Sequence, residues 1–184
     1  MHRELLARDV PHEIVRVRGA VVVCADDLPD ALDVAPTSCL AVRCYVTDLG
    51  LVAVVVHAGV VPDPTAVLDA LGARTLRPAT PDEVNAATDY AAGLVSPVGL
   101  PAELPLLADS ALSNAGVVYC PVGEGGVVLG IGVADLLLAI GAQLAVLSVL
   151  PLPREDPGPW GGGARVIDLD GPRSARRAPR RSVG

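Results

Sequence analysis

The side chains that most often carry chemistry are sparse in this sequence. All 14 basic residues are arginine, so chemistry that needs a lysine amine, including a lysine-bearing phosphate loop, is excluded. The histidines His2, His12 and His57 stand far apart and lack cysteine or acid partners at ligand spacing, so no metal site is expected. Gly123-x-Gly125 and Gly130-x-Gly132 each begin a dinucleotide fingerprint, but Val128 and Asp135 stand where its last glycine is required. Ser96, in Gly93-Leu-Val-Ser-Pro97, lies outside any Gly-x-Ser-x-Gly elbow, so serine hydrolase chemistry is not supported. Cys39 and Cys44 lie on either side of Arg43, a cation that lowers a thiol pKa, yet the apolar Leu40-Ala-Val42 between them points to burial, which raises it. With Cys24 and Cys120 they form no Cys-x-x-Cys pair and are too few for a disulfide scaffold, so reduced core thiols are expected.

From Tyr90 to Pro105 glycine and proline recur at Gly93, Pro97, Gly99, Pro101 and Pro105, which prevents regular structure and predicts a shaped loop of the kind that often lines sites. Before it, Thr80-Pro-Asp-Glu83 has the spacing of a capping box and predicts a helix to about Ala87. Asp63-Pro64 predicts a capped helix through Leu71 with Gly72 at its end. Cys39–Thr47 and Leu51–His57 are β-rich runs joined at Asp48-Leu-Gly50, a hairpin expected at the centre of the fold. Arg3–Arg8 and Ala25–Leu32 read as short helices, and the alternation of Glu13–Arg18 reads as a half-buried strand. Leu106–Ala108, Val117–Cys120, Val127–Ile131 and Gln143–Leu150 read as strands and Val133–Ile140 as a buried helix.

The chain has 184 residues, 51% apolar and 19% charged, enough for one domain with a real core. Its aromatics are only Tyr45, Tyr90, Tyr119 and Trp160, so the core must be aliphatic and stacking platforms for bases are excluded. Residues 1–170 carry 9 arginines and 21 acids, a net charge of −12, whereas residues 171–184 carry 5 arginines and no acid. Residues 151–184, with 12 glycines or prolines in 34 positions, are expected to be a disordered tail behind a folded domain at 1–150. Its arginines are either a salt-dependent nucleic-acid anchor or a solvated tail. Val127–Leu150 is apolar enough to raise a membrane helix, but Asp135, Gln143 and three glycines interrupt it. With no signal-peptide pattern after Met1, a cytoplasmic protein is expected.

Four segments in order, Ala79–Tyr90, Gly93-Leu-Val-Ser-Pro-Val-Gly99, Leu104–Asp109 and Val117-Val-Tyr119 leading into Gly123, resemble the YbaK/prolyl-tRNA-synthetase-associated domain family over about residues 2–150. The resemblance implies a mixed α/β (α+β) single domain, a central mixed sheet with short helices around it. It implies an aminoacyl-tRNA deacylase that hydrolyses the ester of mischarged tRNA in trans, without a cofactor. The implied partners are the 3′ end of that tRNA and an aminoacyl-tRNA synthetase; the basic tail, outside the resemblance, is a candidate RNA contact, and no membrane partner is expected.

By the same resemblance Gly93 to Pro97 shape the aminoacyl pocket with backbone atoms, and Tyr90, Ser96, Pro97, Tyr119 and Gly123 surround the substrate. Arg43 stands where the family has a lysine beside that pocket. Arginine cannot act as a base, but its planar fork binds a phosphate or carbonyl oxygen at two points. The chain is then either a deacylase in which arginine holds the substrate or a silent binding or regulatory member. Arg43 on a solvated strand face and Asp109 as a helix cap are the alternatives to their site roles, holding the substrate and orienting the loop or water; for Asp109 the two are compatible. Asp89 departs from the family's glycine in Thr-Gly-Tyr, and Pro121-Val122 from a small hydroxyl residue and glycine before Gly123.

Overall fold

In the computed structural model residues 2–17 and 19–148 are described, all within one compact unit, Met1–Leu150. The expected tail lies outside the described residues, and the last expected strand, Gln143–Leu150, ends at Ala145, its final two residues also lying outside them. The elements are α1 (His2–Ala7), β1 (His12–Arg16), α2 (Leu28–Leu32), β2 (Leu40–Thr47), β3 (Gly50–His57), α3 (Pro64–Leu71), β4 (Leu76–Pro78), α4 (Pro81–Thr88), β5 (Leu106–Asp109), β6 (Val117–Pro121), β7 (Val127–Gly132), α5 (Val133–Ile140) and β8 (Gln143–Ala145). Single 3-10 turns occupy Ala25–Asp27, Pro36–Ser38 and Ser110–Asn114.

The strands divide into two sheets where the sequence predicts one. A mixed five-stranded sheet runs β4-β2-β3-β5-β8, and a smaller antiparallel sheet runs β1-β7-β6. The β2–β3 hairpin is central, in register from Leu40 with His57 to Thr47 with Gly50. β3 is buried from Val52 onward, consistent with its unbroken Val/Ala run, because a strand covered on both faces has no polar side to alternate with. Cross-strand partners share a face. Ala41, Tyr45, Val52, Val54 and Val56 pack on Ala25, on Val67 of α3 and on Leu107. Leu40, Val42, Ala53 and Val55 pack on the other side against Val84 of α4, Val118, Leu129 and Ile131 of the small sheet, and Leu136 of α5.

Local signals place several ends as expected. Asp63 accepts from Thr65 N–H at 2.8 Å to start α3, and Gly72 ends it at φ +66. Ala25–Leu32 is a 3-10 turn running into α2 rather than one helix, with Pro29 in the first turn of α2. Val127–Ala145 is strand, helix and strand, and no helix among the described residues is long and apolar enough to cross a membrane. α5 is less buried than expected: Val133 and Leu136 face the core while Leu138 is 82% exposed, as an amphipathic helix on a sheet must be.

The capping box of α4 forms, with Glu83 N–H donating to Thr80 Oγ1 at 3.3 Å and Thr80 N–H to Glu83 Oε2 at 2.8 Å. Arg77 adds two bonds to the same carboxylate at 2.8 and 2.6 Å. The Arg77 guanidinium, then the Thr80 N–H, hold the Glu83 carboxyl at about 2, below its ordinary 4.5. A depressed folded pKa contributes stability that is complete above the unfolded value and is lost as pH falls from about 4.5 to about 2. Thermal unfolding of wild type and Glu83→Gln should therefore converge over that window and stay apart above it. Parallel curves would show that the pair contributes nothing, the usual finding for an exposed ion pair.

Candidate functional site

A cavity of about 210 Å³ opens at the side of β2. β4 pairs only with Tyr45–Thr47, and Ala79 N–H donates to Cys44 C=O at 3.0 Å. Beyond that point β2 has no β4 partner, and Ala92, Gly93 and Val95 of the loop after α4 line the cavity beside it. The cavity is walled by Val42, Cys44, Ala79, Val84, Ala92 and Val95, with Arg43 and Gly93 also on its lining. The wall is largely aliphatic, with Tyr45, Pro78 and Pro81 completing the lining. Burial pushes the Cys44 thiol up to about 11, so at neutral pH it lines the wall as a small hydrophobe and is no nucleophile.

Arg43 pairs across the hairpin with Val54, so its side chain leaves β2 on the α3 face. There its Nη2 donates to both oxygens of Asp26, at 2.6 and 2.8 Å. Its Nε is buried with no hydrogen-bond partner, and the side chain as a whole is 26% exposed. Arg43 is thus neither a purely solvated cation nor a fully satisfied one.

Gly93 has φ +90, a left-handed conformation, and a Cβ there would sit 3.1 Å from Val23 O and 3.3 Å from Cys24 Cβ. Its carbonyl accepts from Ala25 N–H at 2.9 Å. Only glycine allows this approach of the loop to residues 23–25. Further along, Gly123 N–H donates to Leu94 C=O at 3.0 Å, and Tyr90 Oη–H donates to Val98 C=O at 2.8 Å. The Tyr90 ring lies against Gly123, where a Cβ would stand 2.9 Å from Cδ1. Tyr90 and Gly123 thus hold both ends of the loop, and Val98 N–H donates to the fully buried Ser96 Oγ at 3.2 Å inside it.

The profile of the aminoacyl-tRNA editing domain matches residues 22–138. The chain belongs to the aminoacyl-tRNA editing domain family. Among solved structures, a candidate trans-editing enzyme for prolyl-tRNA synthetase is 24% identical, with a TM-score of 0.70 over 81% of this chain and 94% of that one. A hypothetical protein is 23% identical, with a TM-score of 0.73 over 80% of this chain and 98% of that one. A candidate signal transduction protein from Marinobacter aquaeolei VT8 is 17% identical, with a TM-score of 0.60 over 81% of this chain but 30% of that one. At these identities the likeness is one of fold. A search among curated proteins finds no match.

Within this editing domain the expected site residues do not all converge. Arg43 and Gly93 share the cavity, but Pro97 lines a different one, about 380 Å³, with Arg8, Leu100, Leu104 and Ile140. Val95 lines the Arg43 cavity and Pro97 the other, with the fully buried Ser96 between them. Tyr119 is on β6 of the small sheet, with its ring over Gly130, away from the Arg43 lining. Asp109 ends β5, two strands from β2 in the sheet order. It is 1% exposed; Oδ1 accepts from Ala111 N–H at 3.2 Å and Leu147 N–H at 3.4 Å, and Oδ2 accepts from Ser148 Oγ–H. Asp109 is therefore the cap of the 3-10 turn and a clamp on the chain after β8, and it does not line the Arg43 cavity.

The departure at Asp89 has a physical basis. Asp89 ends α4 at φ +58, a conformation that glycine adopts freely and aspartate tolerates better than most side chains. The loop therefore keeps its shape without the glycine. The sequence gives no sign of Asp26, 17 residues before Arg43, as a member of this site. His57 is 4% exposed at the end of β3, and burial holds its imidazole below 6.5 against the pull of Asp109. Burial likewise pushes Cys39 up to about 11 and Cys120 to about 12; these two are core thiols, whereas Cys24 and Cys44 are half-buried. Among the described residues no cluster of three His, Cys, Asp or Glu could hold a metal ion.

Proposed function

We propose that this editing domain is an aminoacyl-tRNA deacylase, a cytoplasmic hydrolase that acts in trans on tRNA charged with a wrong small amino acid. The observation that carries the reading is the aliphatic cavity of about 210 Å³ between Arg43 and Gly93. It is smaller than the roughly 300–1,000 Å³ usual for drug-sized ligands, a size that suits an amino-acid side chain. An aminoacyl ester is already activated: water adds at the carbonyl carbon, the C–O bond to the ribose breaks, and free amino acid and a tRNA hydroxyl result. Such a step needs a positioned water and a polarised carbonyl more than a protein nucleophile. Arg43, permanently charged, holds the carbonyl or phosphate oxygen as a donor, and the vicinal ribose hydroxyl assists the water. Gly93, Tyr90, Gly123 and Ser96 shape the loop around the acyl group.

The acidic body repels RNA, so phosphate contacts fall to the arginines of residues 171–184 and to a delivering aminoacyl-tRNA synthetase. The test is amino-acid release from Cys-, Ala- and Ser-charged tRNAPro and from correctly charged tRNAs. Wild type should release selectively. Arg43→Ala should lose roughly 10- to 100-fold in kcat/KM, the effect of one charge-assisted hydrogen bond. Loss in Arg43→Lys as well would show that the planar fork is required, whereas a gain would mark a decayed enzyme. No release from any tRNA by wild type, with tRNA binding retained, would establish the silent binding member instead.

A further inference from the structure

We propose that Asp26 is the positioning residue for Arg43, setting the direction from which the guanidinium meets the substrate; this rests on the deacylase reading. Asp26 is itself held in place. Its Oδ1 accepts from Gly59 N–H at 2.8 Å, at the turn after β3. Its neighbour Asp27 accepts from Val23 N–H at 2.9 Å and Cys24 N–H at 3.0 Å, closing the turn on which both stand. Ala25 N–H in the same turn donates to Gly93 C=O at 2.9 Å. One short turn thus grips the cation through Asp26 and the cavity loop through Ala25, and any shift of the turn moves both.

The arrangement also accounts for arginine at this position. An ammonium is a compact point charge, whereas a guanidinium is a planar group whose donors point in fixed directions and must be oriented to be useful. Asp26 engages Nη2 alone; Nη1 makes no hydrogen bond among the described residues, and Nε is buried without a partner. The carboxylate takes Nη2 and leaves Nη1 for the substrate. Arg43 then acts through directed donors more than through net charge, because the pair is close to neutral.

The experiment measures kcat and KM for deacylation, and equilibrium binding of an amide-linked 3′-aminoacyl-adenosine, for wild type, Asp26→Asn, Asp26→Ala, Arg43→Ala and the double alanine variant. Asp26→Ala should lower kcat about tenfold with a smaller change in KM, the result of a misdirected group used in the transition state. Asp26→Asn should stay within about threefold, because its amide oxygen still accepts from Nη2 and from Gly59. The double variant should be no slower than Arg43→Ala, since Asp26 acts only through Arg43. If Asp26→Ala does not fold, Asp26→Ser, too short to reach Arg43, takes its place. The proposal is overturned if the Asp26 variants match an active wild type, or if the Asp26→Ala loss adds in full to that of Arg43→Ala. A wild type that neither releases amino acid nor binds the analogue overturns the deacylase reading, and the proposal with it.

Discussion

Replacing Asp109 by alanine is expected to lower the unfolding free energy by about 3 kcal/mol or more. The carboxylate is 1% exposed and accepts from Ala111 N–H, Leu147 N–H and Ser148 Oγ–H. Alanine leaves the buried Leu147 N–H without that acceptor, at a cost of about 1–3 kcal/mol, and removes the bonds to the part-buried Ala111 N–H and Ser148 Oγ–H. The loss of the cap at the 3-10 turn adds about 1 kcal/mol. The stretch after β8 is also freed, because it reaches β5 through this side chain as well as through the short β5–β8 ladder. Denaturant unfolding measures the stability, and deacylation per folded molecule measures the chemistry. The expected outcome is a large loss of the first with the second within about threefold of wild type. Unchanged stability with a hundredfold loss of activity would instead place Asp109 in the reaction.

Gly93→Ala is expected to reduce deacylation by about a hundredfold or more, since displacement of a site by about 1 Å has effects of that order. Two constraints act together. The backbone at Gly93 is left-handed, which costs an ordinary side chain roughly 1–2 kcal/mol. The added methyl would also press on Val23 O at 3.1 Å and Cys24 Cβ at 3.3 Å. Either the loop or the turn at residues 23–27 must give way, and the Ala25–Gly93 hydrogen bond is lost with it. Because the same turn carries Asp26, Arg43 is disturbed as well as the cavity wall. The activity loss should therefore exceed that of Arg43→Ala, while far-ultraviolet circular dichroism stays native. A Gly93→Ala variant with wild-type kcat/KM would show that the cavity is not where the acyl group sits.

The features legible from the chain alone are those decided within a few residues. The capping box of α4 needs only Thr80 and Glu83 one turn apart, and Gly72 ends α3 because a left-handed residue there favours glycine. The β2–β3 hairpin follows from two apolar runs across a short turn, and the irregular stretch 90–105 from its glycines and prolines. The family resemblance was legible too, because its loop is a local pattern. Strand existence survived; the partition into two sheets did not appear, since pairing is a choice among distant edges that alternation cannot express.

The site divides in the same way. Gly93 was readable because a positive φ marks itself in residue type. The division of the loop between two cavities is set by Gly123, Tyr90 and residues 23–25, which approach it from elsewhere in the chain. Arg43 could be named from sequence, but its pairing with Asp26 could not. That contact forms only once Gly59, at the far end of β3, holds the carboxylate and β2 sends Arg43 to the same face. Asp109 shows the same limit: its cap is local, but its hold on Leu147 and Ser148 exists only because β8 lies beside β5. Residue type and short-range spacing decide turns, caps and strands, whereas the partners of buried charges are decided by tertiary packing, because those groups are brought together only when distant segments close around them.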